Sequence, residues 1–386
     1  MAVGKNRKLY YIDHCLTPHE SIPDGAILCE KERIIALGGA SAFMKEPGLE
    51  IYDMTDCFAM PGLIDCHVHG AGGFDSANAW KSSRDDLNKM SINLARHGVT
   101  TFFPTLVSDE KQQMIRNVAA LAKLIEESYE GAVPAGINLE GPFINPEKAG
   151  SQNKDFIYEI DLEFAKELIE AGNGRIKLMT FAPELENAEK LIELMLENGV
   201  IPSMGHSMAD GEATLRAIEA GARRCTHLFN GMPLLQQRRN DLPLIALTDD
   251  QVSVELIVDG GHLHPKMVDL ASRVKPRDMI IGVSNAIQSS DIDVEESNGI
   301  VRRDGLIAGS TTTLEKGWAH LTNYANLPET LAAACFTSNP ARDLGLITRG
   351  ELKPGKKADI TFFDCQTNTV RMTVVQGKIV YHSEEF

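Results

Sequence analysis

The sequence predicts an α/β protein: a (β/α)8 barrel of the TIM type over residues 61–350, with a small β-sandwich domain formed by both chain ends, residues 1–60 and 351–386. Three observations carry that prediction. Apolar strand-like runs alternate with amphipathic segments through the middle of the chain, which is the pattern of parallel β/α units. His, Glu and Asn residues recur where those runs end, and in a barrel such positions share one rim. Both chain ends carry short strand-like runs, too few at either end for an independent sheet, and the ends of a domain are often close in space.

Taken in order, Leu9–Ile12, Ala26–Cys29, Arg33–Leu37 and Glu50–Asp53 read as strands separated by turn residues, with a short helix expected in Gly39–Pro47. Asp85–His97 has a helical apolar stripe and leads into a strand at Thr100–Thr105. Four further pairs follow: Gln112–Glu127 into Gly136–Glu140, Asp161–Ala171 into Ile176–Thr180, Asn187–Asn198 into Ile201–Gly205, and Gly211–Ala220 into Arg224–Thr226. Val252–Val258 is a strand candidate, and Lys266–Val274 leads into Met279–Val283. Thr312–Glu315 reads as a helix start. The tail returns to strands at Asp359–Phe363, Val370–Val375 and Lys378–Tyr381, with Gly377 in the last turn.

Composition bounds the function. The 386 residues are 43% hydrophobic, enough for a large core, and the formal charge of −16 argues against a broad nucleic-acid or anionic-membrane surface. It leaves room for an anionic small molecule, because a few local arginines can hold one phosphate. The seven cysteines are scattered with no CxxC pair, so neither structural zinc nor a disulfide framework is expected. No apolar run reaches the roughly 18 residues of a membrane span, and a cytoplasmic setting is expected.

The chemistry-bearing residues fall at strand ends. In Pro61–Gly70, His67 and His69 are two apart, so on an extended segment their side chains point the same way and can offer two imidazoles to one cation; core or hydrogen-bonding roles are the alternative. Glu140 ends an apolar strand before Gly141–Pro142. A carboxylate buried there needs a partner, which a metal supplies; a rim acid in a salt bridge is the other reading. His206 and His227 end two successive strands, and with Glu140 they make a plausible N/O set for zinc or another divalent ion. His262 and His264 follow another apolar run, and one of them could donate to an oxyanion. Arg238 and Arg239, in a polar stretch, suit phosphate or a subunit contact.

These segments, PGLIDCHVHG, LEGPFINPEKAG, GHS, THLFNGMP, the DG-H segment and IAGS, resemble in order and spacing the N-acetylglucosamine-6-phosphate deacetylases of the amidohydrolase superfamily, over nearly the whole chain. The resemblance implies a metal-dependent hydrolase barrel. It implies Glu140, His206 and His227 as metal ligands and His67 with His69 as the pair some members use for a second ion, so one or two divalent ions, with zinc first. Asn230, Gly231, Ala308 and Gly309 would contact the sugar or its phosphate. Arg238 would bind phosphate, reaching into a neighbouring subunit of a homodimer, and His262 would position or polarise the amide. The reaction implied is hydrolysis of the N-acetyl group of an amino sugar 6-phosphate to acetate and the amino sugar phosphate.

Two positions depart from the family. Its catalytic aspartate lies in a Thr-Asp-Ala segment, matched here by Ser284, Asn285 and Ala286, and an amide cannot act as the same general base. A family histidine that contacts the phosphate is matched by Gln152, which keeps hydrogen bonding and loses the charge. Asp291 and Asp293 are too far along the chain to be assumed replacements. The sequence is compatible with an impaired deacetylase, with a divergent amidohydrolase acting on another acylated sugar or amide, or with a noncatalytic sugar-phosphate-binding homologue.

Overall fold

The computed structural model describes residues 7–18, 20–43, 48–288 and 295–383, so Asp291 and Asp293 lie outside the described residues. The chain opens with four strands, β1 (Arg7–Leu16), β2 (Ser21–Glu30), β3 (Arg33–Gly39) and β4 (Glu50–Pro61). They run well past the apolar cores read from the sequence, because extended backbone needs no unbroken apolar run where one face meets solvent. The helix expected at 39–47 is a single 3-10 turn at Ala40–Ala42, and residues 44–47 lie outside the described set.

Gly62 alone separates β4 from the first strand of the second sheet. That sheet runs through eight parallel strands: β5 (Leu63–Val68), β6 (Val99–Val107), β7 (Ile137–Glu140), β8 (Ile176–Phe181), β9 (Ile201–Met204), β10 (Arg224–Cys225), β11 (Ser253–Ile257) and β12 (Ile280–Val283). Between consecutive strands lie α1 (Arg84–Arg96), α2 (Lys111–Ile125), α3 (Leu162–Ala171), α4 (Ala188–Glu197), α5 (Gly211–Glu219), α6 (Leu242–Thr248) and α7 (Pro265–Val274). Helix starts are fixed locally. Ser83 and Asp86 form a reciprocal capping box on α1, and the Asp161 and Asp210 side chains accept backbone N–H bonds at the starts of α3 and α5.

Closure joins β5 to the residues just after β12. Val68 pairs with Ala286 as parallel strands do, His69 N donates to Ala286 O at 2.8 Å, and Asn285 N donates to His67 O at 3.0 Å. Asp65, fully buried, accepts from both His67 N and Ser284 N at 3.3 Å. Burial outweighs these bonds and pushes the Asp65 carboxyl up to about 6. Ile64, Cys66, Phe103, Leu178, Ile257, Ile281 and Val283 form one buried cluster. They come from strands that are not all sheet neighbours, so the cluster fills the inside of the ring.

After β12 come three short antiparallel strands, β13 (Glu295–Ser297), β14 (Ile300–Arg303) and β15 (Leu306–Ser310), then α8 (Leu314–Ala325), α9 (Glu329–Phe336) and α10 (Ser338–Asp343). Ser310 is consumed locally: its hydroxyl donates to Gly299 O and accepts from Thr312 N, just ahead of α8. Finally β16 (Ile360–Asp364), β17 (Val370–Val375) and β18 (Lys378–His382) return to the first sheet, whose order is β18-β17-β16-β4-β1-β2-β3. The two layers expected of a sandwich are thus hydrogen-bonded into one seven-stranded sheet. Ile34 near one edge and Met372 and Val374 near the other share a single buried cluster, so this sheet encloses its own core.

Candidate active site

The ends of the barrel strands deliver the site. Glu140 closes β7, His67 lies in β5 and His69 just beyond it, and His206, His227 and Asn285 follow β9, β10 and β12. Three of these leave their strands in the left-handed region, with φ of 47° at His206, 25° at His227 and 48° at Asn285. Non-glycine residues rarely adopt it, and such conformations gather at functional sites.

The side chains converge on one carboxylate. His206 Nε2 and His227 Nε2 each lie 2.8 Å from Glu140 Oε1 and 3.1 Å from each other. His69 Nε2 is 3.4 Å from Glu140 Oε2, and His67 Nε2 is 3.7 Å from Oε1. Glu140 therefore belongs to two ligand-like groups, one with His206 and His227 and one with His67 and His69. Burial opposes charge on Glu140, yet the surrounding imidazoles outweigh it and hold the carboxyl well below the usual carboxylate range.

Outer contacts fix how the rings are protonated. His206 Nδ1 meets Lys148 O at 2.7 Å. A carbonyl only accepts, so Nδ1 carries the proton and a neutral His206 turns a lone pair toward Glu140. His67 Nδ1 donates to Glu255 Oε2 at 3.0 Å, while its buried Nε2 has no hydrogen-bond partner. Glu255 also accepts the His227 backbone N–H and a two-pronged bond from Arg224, through Nε at 3.1 Å and Nη2 at 2.8 Å. Arg224 is fully buried and also pairs with Asp343 of α10. Burial raises the Glu255 carboxyl, but Arg224 and His67 prevail and hold it down to about 2. Burial likewise works against charge on His67, but Glu255 and Glu140 push that ring up to about 10. For His69 burial wins and pulls the ring down to about 4.

These residues fit a divalent cation. Lone pairs of imidazole and carboxylate that face one another within 3 Å repel unless positive charge lies between them, and N/O donors of this kind are what zinc and similar ions take. The outer nitrogens of His206 and His67 are hydrogen-bonded, as ligand histidines usually are, while that of His227 has no hydrogen-bond partner.

Above this cluster lies a cavity of about 420 Å³. His69, Glu140, His206, His227, Asn285 and His262 line it, as do Asn230, Gly231, Gln152 and Ala308. Asn285 Oδ1 lies 3.1 Å from His69 Nε2. His262 Nδ1 donates to Asp259 Oδ2 at 2.6 Å, and Asp259 Oδ1 accepts the backbone N–H groups of Gly261 and His262. Gly231 has φ 63°, and a Cβ there would sit 3.0 Å from His206 Nδ1, so glycine permits the close approach. Gln152 is committed at both ends: Oε1 accepts from Ser108 N at 3.0 Å and Nε2 donates to Glu140 O at 3.2 Å.

One expected contact falls elsewhere. Gly309 is absent from the cavity wall; it packs behind it, where a Cβ would lie 2.9 Å from Asn285 O. Arg238, expected at a neighbouring subunit's site, lies outside this chain's own cavity on an exposed stretch, residues 234–240. His97 caps the end of α1 and bonds Glu315, and His264 caps α7. The supporting residues Glu255, Asp259, Asp65 and the Lys148 carbonyl were not singled out from the sequence. Glu255 and Asp65 carried a signal there, each a carboxylate set within a largely apolar strand.

The sequence pattern of the Amidohydrolase family matches residues 58–380. The chain is 33% identical over 359 residues to the N-acetylglucosamine-6-phosphate deacetylase of Bacillus subtilis (strain 168), covering 88% of this chain and 89% of that protein. It is 29% identical to the N-acetylgalactosamine-6-phosphate deacetylase of Escherichia coli O157:H7, over 83% and 86% of the two chains. Among solved structures, a variant of the N-acetyl-D-glucosamine-6-phosphate deacetylase of Mycobacterium smegmatis, in complex with N-acetyl-D-glucosamine 6-phosphate, superposes with a TM-score of 0.89 at 28% identity, covering 97% of this chain and 99% of that one. The enzyme of Thermotoga maritima superposes at 0.85, also at 28% identity, covering 97% and 100%. With the fold, the ligand-like cluster and these likenesses in agreement, the chain belongs to the N-acetylglucosamine-6-phosphate deacetylase family of the amidohydrolases.

Proposed function

We propose that this protein hydrolyses the N-acetyl group of a 2-acetamido sugar 6-phosphate, N-acetylglucosamine 6-phosphate first among them, to acetate and the amino sugar phosphate. The observation that carries the reading is the convergence of Glu140, His206 and His227 beneath a cavity that also holds His262. Glu140, His206 and His227 would hold the first ion, with zinc favoured by the N/O donor set, and His67, His69 and Glu140 a second where one binds. When bound, the ion supplies the positive charge that acidifies a water and polarises the acetyl carbonyl.

This chain's own residues do the rest. Asp259 fixes the ring of His262 through Nδ1. Donation from His262 Nε2 to the developing oxyanion then uses the doubly protonated ring, whereas the neutral ring accepts at Nε2. Asn230 and Gly231, held against His227 and His206, and Ala308 on the facing wall orient the sugar. Asn285 hydrogen-bonds within the site and cannot take a proton. That favours a second reading in which the chain binds the sugar phosphate and turns it over slowly or not at all. The protein is proposed to be a cytoplasmic homodimer. In support, the described cysteines are all free thiols, and none of the described helices is long and apolar enough to cross a membrane.

Acetate release from N-acetylglucosamine 6-phosphate by zinc-loaded protein tests the reading, for the chain as it stands and for Asn285→Asp, with metal content measured alongside. Activity raised by Asn285→Asp, by about a hundredfold or more as expected for a restored general base, supports the deacetylase. Bound ligand without turnover in either form supports the binding reading. Turnover of a different amide alone would sink both.

A further inference from the structure

We propose that Asp13, His14 and Cys365 form a metal site of a different kind, a thiolate-containing surface site for zinc or a similar divalent ion, which joins the two ends of the chain. It lies on the sheet built from those ends and uses no residue of the barrel cavity. It stands whether or not the deacetylase reading holds.

The three residues bring a carboxylate oxygen, an imidazole nitrogen and a sulfur, and one such atom from each lies within 4.8 Å of the others. Among the described residues, the other groups of this kind centre on Glu140 and contain no sulfur. Donors around one tetrahedral zinc stand about 3.5 Å apart. Asp13 and Cys365 are exposed and His14 is partly so, and small rotations of such side chains close them on an ion. Thiolate, imidazole and carboxylate together are donors that zinc takes, and three protein ligands at a surface leave the fourth position to water.

Local structure explains why residues from opposite chain ends meet. In a regular sheet, two strands flanking a third lie about 9.6 Å apart, and β4 stands between β1 and β16. Here the middle strand bulges. Between the pairs Ile12–Met54 and His14–Phe58, β1 has only Asp13, whereas β4 has Thr55, Asp56 and Cys57. Surplus residues of this kind bend a strand and re-aim the side chains beside it. On one side of the bulge, Asp56 O accepts the backbone N–H of Cys365 at 3.0 Å, which fixes Cys365 just past the end of β16. On the other side, Asp13 and His14 would point to opposite faces of a regular strand. Instead His14 Nδ1 lies 2.7 Å from Asp13 Oδ2. The His14 ring stacks on Phe58, with centroids 5.1 Å apart and planes at 15°, so packing sets its orientation.

Charge favours a cation at this place. Asp13, Asp364 and Asp56 all act on the Cys365 sulfur. Arg371 is shared between Asp56, at 3.8 Å, and Asp364, at 3.5 Å, so one guanidinium stands against three carboxylates. A divalent ion would make up that deficit, with the thiol proton leaving to solvent as the sulfur binds. Because the ligands come from both ends of the chain, the ion would bind the folded sheet in preference to the unfolded chain. For the same reason no CxxC spacing announces the site.

Cobalt(II) titration of the full chain tests this. Cobalt accepts the donors that zinc does, and a thiolate bound to it gives a charge-transfer absorption in the near ultraviolet that imidazole and carboxylate ligands do not. The candidate active site offers no sulfur and the other six cysteines are buried, so the band reports this site even when the barrel is loaded. The unaltered protein is expected to develop the band, and Cys365→Ser to lose it. Asp13→Asn and His14→Phe, the latter keeping a ring on Phe58, should each weaken the affinity read from the band by about tenfold or more, since even loss of a ligand's outer partner costs that much. No band in the unaltered protein at saturating cobalt overturns the site. A band that survives Cys365→Ser overturns it by moving the thiolate elsewhere, and an affinity unchanged in both Asp13→Asn and His14→Phe overturns it by leaving the sulfur to bind alone.

Discussion

Glu255 shows how much of this site rests on residues that never reach the substrate. Its two oxygens bind the buried Arg224, the outer nitrogen of His67 and the backbone of His227. Glu255→Gln keeps the size and removes the charge, leaving Arg224 buried with Asp343 as its remaining carboxylate. Metal affinity, read by titration against a chelator, is expected to fall about ten- to hundredfold, the usual effect of losing a ligand's outer partner. An unchanged affinity would mean that packing alone orients His67. The sequence disclosed Glu140, His206, His227, His67, His69 and His262, because each sits where an apolar run ends. It did not disclose Asp259 or Asp65 as supports, because their partners are set by strand ends meeting around a closed ring, and Asp65 acts only at the seam between β5 and the residues after β12.

At the scale of elements, periodicity located α1 to α5, α7 and the barrel strands, since each alternation of period is imposed by burial on one side; it missed α6, whose seven residues are too few to show a helical stripe. It did worse at the chain ends. There the strands are ten to twelve residues long in β1, β2 and β4, with Pro23 and Gly25 inside β2 disguising its length. The polar stretch between β10 and α6, where Arg238 and Arg239 suit phosphate or a subunit contact, holds Leu234 80% exposed beside the exposed Arg238. An apolar side chain so open suits a covered position in a dimer. Leu234→Asp is therefore expected to halve the molar mass seen by light scattering while leaving the melting curve of the isolated chain recognisable. A mass that equals that of the unaltered protein would remove this stretch from the proposed subunit contact.

The molecule as a whole keeps six of its seven thiols out of reach. Cys15, Cys29, Cys57, Cys66, Cys225 and Cys335 are buried, and Cys365 is exposed. Burial raises the buried thiols, to about 12 at Cys15, Cys29 and Cys335. The unfolded chain has the ordinary thiol value of 9.0, so it loses these protons first as the solution becomes alkaline. Their contribution to stability is complete below pH 9.0 and is lost as pH rises from there toward 12. Each thiol can contribute up to about 1.4 kcal/mol per pH unit in that window. Lys275, which burial holds down to about 8, works in the opposite sense. Urea unfolding at pH 7.5, 9 and 10 (about these values, set by the thiol titration) should give a midpoint that falls at the highest pH. A rising midpoint would show that the lysine outweighs the thiols.

The sheet made from both ends has a consequence for synthesis. Its central strand, β4, pairs with β1 on one side and with β16 on the other, and Lys8 Nζ finds its carbonyl acceptor at Gly377. A ribosome would release β1 to β4 long before β16 exists, so the flank of β4 stays uncovered while the entire barrel is translated. Such contacts, distant along the chain, are slow to form and leave strand edges open to neighbours. The nascent protein is thus committed to waiting for its last strands, and a chaperone that shields an open strand edge would matter more to its yield than to its final stability.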